Sequence, residues 1–208
     1  CSSDLLVLIL GSVVMIFPFL WMILTSFKTV PETTLVPPTF FPESFQNTAA
    51  YIQVTNSLPF LKLYYNTLMM IFIRVICAVV FSSMAAYAFA KVHFPLKNLC
   101  FALVVSQLMF PAQVFILPQY EMISAIGKTD SIFALVFPGL VSAFGTFFLR
   151  QTYMGIPDDL IEAARIDGCG QFRTFASIAF PLTKTAIAAL AVFTALFAYA
   201  DLMWPLIV

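Results

Sequence analysis

An all-α, polytopic transmembrane helical bundle is the fold class this sequence predicts, on three observations. Of the 208 residues, 62% are hydrophobic and only 10% are charged, and the mean hydropathy is +0.99, outside the range of soluble domains. The apolar residues fall in runs long enough to cross a hydrocarbon core about 30 Å thick, which takes roughly 20 residues of helix. Those runs are continuous rather than alternating, so helices are expected instead of barrel strands.

The first span is expected at residues 5–27. Its apolar run exceeds the roughly 7–15 residues of a signal-peptide core and no basic segment precedes it, so it reads as a retained anchor. The chain opens on Cys1 rather than Met; a lipidated terminus would be redundant beside a spanning helix, and a fragment without its start is the expectation. An outer segment, residues 28–61, carries Pro31, Pro37, Pro38, Pro42 and Pro59 and is expected to be long and extended, serving as contact for a partner or as cover over the span ends. Further spans are expected at 66–90, 99–123, 131–154 and 182–208, with a polar insert at 155–181. Pro18, Pro111, Pro118 and Pro138 fall within spans, where each removes a backbone donor and kinks or interrupts its helix.

Charge placement orients the bundle. With ten basic and ten acidic residues the net charge is zero, so no broad footprint for nucleic acid exists. The loops at 91–98 and 155–181, with their flanks, hold Lys91, Lys97, Arg150, Arg165, Arg173 and Lys184, against Lys28, Lys62 and Lys128 on the opposite side. The excess of basic residues predicts that the 155–181 insert is cytoplasmic.

Enzymatic and metal chemistry find no support. No Gly-rich phosphate loop, His-Glu-x-x-His helix or Gly-x-Ser-x-Gly elbow occurs. Cys1, Cys77, Cys100 and Cys169 lack ligand spacing, and the lone His93 reads as a solvated surface residue.

Within the insert, Pro157, Asp158 and Asp159 open a helix that Gly168 can close, about 16 Å long at 1.5 Å per residue. Proline suits the first turn, the acidic pair complements the positive end of the helix dipole, and glycine suits the left-handed cap. Glu162 and Arg165 share a face and can form a weak ion pair. A second short helix is expected over residues 171–178, leading to Pro181. The small Ala163 and Ala164 would allow a partner surface to approach, and Leu160, Ile166 and Phe172 could fill a cleft in it. An interfacial helix resting on the bilayer is the alternative.

The sequence Glu162-Ala163-Ala164, then three residues, Gly168, nine residues, Ile178, two residues and Pro181 resembles the cytoplasmic signature of prokaryotic binding-protein-dependent ABC importer permeases. Similarity extends through Ala85-Ala86-Tyr87-Ala88-Phe89-Ala90, Phe110-Pro111, Ile116-Leu117-Pro118, Ile156-Pro157 and Ala200-Asp201-Leu202-Met203-Trp204-Pro205. Together these look like the sugar-importer branch, in particular its smaller six-span, maltose-type permease subunit. The resemblance implies one transmembrane domain over residues 1–208, set in the lipid of a prokaryotic inner membrane. It further implies a second permease subunit, an extracytoplasmic solute-binding protein and two cytosolic ATP-binding subunits, which would use ATP and Mg while this chain binds no cofactor and is not an enzyme. Glu162, Ala163, Ala164, Asp167 and Gly168 would form the coupling helix seated on the ATPase, and Ile178 and Pro181 would set the return into the membrane. Five spans against the family's six make a fragment lacking the sixth the expectation.

Polar groups inside the spans are candidates for a solute path, because they are costly in lipid and usually face protein or water. Gln107, Gln113, Ser142, Thr146, Thr194, Tyr199 and Asp201 qualify, with Tyr199 and Trp204 offering aromatic walls beside the Asp201 carboxylate. The alternative for Asp201 is a position near the outer interface, paired with the missing sixth span, and Arg74 is expected to snorkel or to pair with Asp201. The leading reading is a permease subunit of an ATP-driven sugar or oligosaccharide importer. Its alternatives are a gradient-driven transporter or an ABC permease for a non-sugar solute.

Overall fold

The computed structural model describes residues 2–208, so Cys1 and the expectation attached to it lie outside the described residues. The regular elements among the described residues are helical, and the chain divides into two units that meet between Leu63 and Tyr64.

In the first unit, α1 (Ser2–Ser26) is one helix with Pro18 inside it, and Leu5–Ser26 is long and apolar enough to cross a membrane. The segment expected to be extended instead contains α2 (Val30–Thr33) and α3 (Ala49–Ser57). Glu32 ties it together. Its carboxylate accepts the backbone N–H of Glu43 at 2.7 Å and that of Thr29 at 3.1 Å. The Glu43 N–H chiefly, then that of Thr29, holds this carboxyl below its ordinary pKa. Lys28 donates to the Thr39 carbonyl and lies 4.9 Å from the Trp21 ring centroid.

Most of the second unit is framed by α4 (Phe60–Lys91), which starts six residues before the expected span and runs 32 residues, about 48 Å at 1.5 Å per residue. It outreaches the hydrocarbon core, so one end projects. The next three expected spans are not straight helices. Residues 99–123 fall on α5 (Lys97–Ser106), two short 3₁₀ turns and α6 (Ile116–Ala125), bent by 105° between Met109 and Ala112. The cause lies at Pro111, which lacks an amide proton and pushes the preceding residue out of the helical region; Phe110 sits at φ −95, ψ 136.

The fourth span breaks the same way. α7 (Ile132–Val136) runs into a turn containing Pro138, and α8 (Ala143–Met154) restarts at a 46° bend with the Ser142 hydroxyl accepting the Gly145 N–H at 2.9 Å. In the insert, α9 spans Asp158–Ile166. The last stretch comprises α10 (Gln171–Thr174), a π-helical turn over Phe175–Ala179, and α11 (Phe180–Leu182). An 80° bend then leads into α12 (Lys184–Ala200). The Thr183 hydroxyl sits at that bend and donates to the Ala179 and Phe180 carbonyls. Helix α12 ends at Ala200, short of the expected 208, because Asp201 leaves helical geometry (ψ 104) and accepts the Trp204 N–H. With each bent pair counted as one span, helices sufficient for five crossings are present.

The core of this unit joins Ala86 and Tyr87 of α4, Leu149 and Tyr153 of α8, Ile161 of α9, Phe175 and Ala179 of the π turn, and Ile187 and Leu190 of α12. Gly145 lets three helices approach: a Cβ there would lie 2.9 Å from Ser82 Oγ and 3.1 Å from Leu190 Cδ1. Small residues serve this purpose where lipid supplies no hydrophobic drive between helices. Gly145→Ala is expected to destabilise the protein by about 1–3 kcal/mol through overpacking, read as a lower thermal denaturation midpoint in detergent; an unchanged midpoint would count against this packing role.

Candidate functional site

Two places in the second unit carry chemistry: the insert helix α9 and a cavity on the Asp201 side of the helices. Local sequence shapes α9 at both ends. Asp158 and Asp159 occupy its first turn and Arg165 its last, each sign matching the dipole end it faces. Gly168 at φ +81 closes it. The Gly168 N–H donates to Arg165 O and the Cys169 N–H to Ala164 O, at 3.0 and 2.9 Å, the two bonds of a Schellman cap.

One face of α9 is fixed. Ile161 and Ala164 are buried, and Ile161 enters the core cluster. Glu162, Ala163, Arg165, Ile166, Asp167 and Gly168 are exposed, as are Leu160 and Phe172. Ala164 therefore packs inward rather than toward an approaching partner, because at helical spacing it shares the face of Ile161. Further along, Ile178 is half-buried on the π turn, and exposed Pro181 precedes the bend at Thr183.

The expected Glu162–Arg165 ion pair is not formed among the described residues; the insert's ion pair is Asp158 with Lys91. Buried Lys91, in the last turn of α4, donates to Asp158 Oδ1 and to the Ile156 carbonyl, each at 2.6 Å. That hydrogen bond first, and then the lysine charge, hold the Asp158 carboxyl below its ordinary 3.8. Nearby, Lys97 reaches the Ala90 and Val92 carbonyls and Arg150 that of Phe89. The same cations that signal orientation therefore also satisfy carbonyls at the end of α4. Above Lys91, the hydroxyls of Ser83 and Tyr153 bond to each other, and the Tyr87, Tyr153 and Phe175 rings pack together. Sequence reasoning counted Lys91 for orientation but missed it as a tether, since its partners lie more than sixty residues away.

The cavity, about 440 Å³, gathers Gln107, Ser142, Thr194 and Asp201 from the expected path residues and adds Arg74 and Gln119. Gln113 is exposed and not among its lining, Thr146 is buried and donates to Ser142 O, and Tyr199 is 73% exposed. Trp204 is buried, its indole N–H donating to the Ala134 carbonyl at 2.8 Å. The expected pair of aromatic walls therefore does not form, because the indole proton takes an internal acceptor and the helix ends before Trp204.

Arg74 meets Asp201 at 2.9 Å. Its Nε and Nη2 both donate to the Leu135 carbonyl, which the turn at the end of α7 leaves available. The side chain lies against Gly139, where a Cβ would stand 2.7 Å from Arg74 Cδ. Among the described residues, no group of His, Cys, Asp and Glu converges on a metal site.

Residues 2–208 match, over their whole length, the family described as binding-protein-dependent transport system inner membrane component. The chain belongs to that family. Among curated relatives, the sn-glycerol-3-phosphate transport system permease protein UgpE of Escherichia coli O1:K1 is 37% identical over 206 residues, covering 97% of this chain and 73% of the relative. UgpE of E. coli strain K12 is 39% identical over 175 residues, covering 84% and 62%. In fold, a chain of a bacterial ABC transporter involved in the import of the acidic polysaccharide alginate superposes with a TM-score of 0.83 at 20% identity, covering 98% of this chain and 71% of that one. This family member is thus a transmembrane permease component of an importer, the non-catalytic part of such a system.

Proposed function

We propose that the chain forms part of the membrane path for a sugar or related polyhydroxylated solute, and that α9 is its docking element on a cytosolic ATPase. The observation that carries this reading is the two-sidedness of α9: Ile161, Ala164 and the Lys91–Asp158 tether fix one side, while Glu162, Ala163, Arg165 and Ile166 face outward. A short helix clamped at its N-terminus and core-packed on one face moves as a unit with α4 and α8, so force on its outer face reaches the helices lining the cavity. Two ATP-binding subunits hydrolysing MgATP, a second permease and an extracytoplasmic solute-binding protein complete the proposed assembly, with α9 on the cytoplasmic side of a prokaryotic inner membrane. The names of the relatives support a solute rich in hydroxyl groups. Within this reading, Glu162, Ala163, Asp167 and Gly168 meet the ATPase, Ala164 holds the helix from behind, and Ile178 and Pro181 direct the chain back toward the bilayer.

Glu162→Lys, a charge reversal on the exposed face, is expected to weaken co-purification of the ATPase at least tenfold while leaving membrane insertion intact. Quantitative mass spectrometry of the isolated complex reads both. Undiminished ATPase recovery from the variant would overturn the docking role.

A further inference from the structure

The two charges beside the cavity hold each other. Although an arginine in a 440 Å³ recess suggests an anion site, each nitrogen of this guanidinium already donates once: Nε and Nη2 to the Leu135 carbonyl and Nη1 to Asp201 Oδ2. Its side chain is only 7% exposed, whereas Asp201 keeps 26%. The more exposed member of the pair is therefore the acid. An incoming phosphate or uronate would meet a carboxylate beside a largely covered guanidinium. What the lining offers otherwise is uncharged: the amides of Gln107 and Gln119 and the hydroxyls of Ser142 and Thr194, among the apolar surfaces of Phe115 and Phe144. Amides and hydroxyls both donate and accept, as does a sugar hydroxyl, and a few polar groups set in apolar walls is the usual make-up of a small-molecule site.

We propose that this cavity is a site for an uncharged polyhydroxylated solute, and that the Arg74–Asp201 pair makes it selective against anions. The inference rests on the permease reading and narrows its substrate class. It sets this chain apart from the UgpE permeases and the alginate transporter, whose cargoes, glycerol 3-phosphate and an acidic polysaccharide, are anionic. Gly139 belongs to the device, because a side chain there would displace Arg74 from its seat.

The test titrates the full-length permease in nanodiscs and reads binding by isothermal calorimetry. The probes are glycerol against glycerol 3-phosphate, and glucose against glucose 6-phosphate. The parent is expected to respond to a neutral probe at concentrations at least tenfold below any response to its phosphorylated counterpart. Asp201→Asn keeps an oxygen to accept from Arg74 but removes the opposing charge, and is expected to improve the response to the phosphate esters at least tenfold. A parent response to a phosphate ester at equal or lower concentration overturns the proposal, as does silence toward every probe or an Asp201→Asn variant with unchanged selectivity. Stimulation of ATP hydrolysis by the loaded solute-binding protein, measured on the complete complex, separately tests the permease reading, so the two can fail independently.

Discussion

Arg74→Met is expected to destabilise the second unit by about 3 kcal/mol, the lower end of the range for breaking a buried ion pair, because Asp201 retains 26% exposure through which water can partly solvate it. Methionine keeps the apolar stem beside Gly139 but removes every donor, leaving the Asp201 carboxylate unpaired and the Leu135 carbonyl without its side-chain partner. The asymmetry is diagnostic. Removing both charges in Arg74→Met/Asp201→Leu is expected to recover more than half of the loss, since a buried pair as a whole adds little net stability. Thermal unfolding of the three proteins in one detergent reads the cycle; a single variant as stable as the parent would show that the pair carries no such burden.

Lys91→Met is expected to uncouple the insert. It preserves side-chain length in the core but removes the donor shared by the Ile156 carbonyl and Asp158, freeing the entry into α9 while Ile161 still packs. Solute-stimulated ATP hydrolysis in the reconstituted complex is expected to fall at least tenfold, with basal hydrolysis retained and Lys91→Arg partly restoring it. Equal stimulation in Lys91→Met would remove the tether from the mechanism. The pH dependence has a definite sign. Since the Asp158 carboxyl is held below 3.8 when folded, its share of the attachment is complete above that value and is lost as pH falls through the depressed value. Protection factors in α9, taken relative to the pH-dependent intrinsic exchange rate, should therefore hold constant from about pH 8 to about pH 5 and fall only in stronger acid. Protection already falling across the neutral range would contradict the assignment.

The sequence carried more information about the insert than about the spans, and the difference is physical. Cap residues act within a turn or two, so Asp158, Asp159 and Gly168 marked α9 on local grounds, and the observed helix lies between them. Period could not do the same in the membrane, where a helix that is apolar on all sides has no distinguishing face. Proline gave the positions of trouble but not the outcome. Pro18 sits within an uninterrupted helix, whereas Pro111 accompanies a 105° bend.

Polar residues in the spans could likewise be counted but not placed. Asp201 pairs with Arg74, one of the two outcomes expected for that arginine, and also lines the cavity, while Tyr199 and Trp204, close to it in sequence, are exposed and buried respectively. Which of Gln107 and Gln113 reaches the cavity depends on the turn that Pro111 introduces between them.

By itself, then, the sequence determined the transmembrane helical class, the capped insert and its signature, because each follows from composition or from contacts within a few residues. Only the tertiary structure decided the bend angles, the inward packing of Ala164, the partners of Lys91, whose Asp158 lies 67 residues away, and, of the two outcomes expected for Arg74, the pairing with Asp201 across 127 residues. A buried charge must find an opposite charge or a free carbonyl, but which one it finds is fixed by how bent helices pack, and no local pattern encodes that.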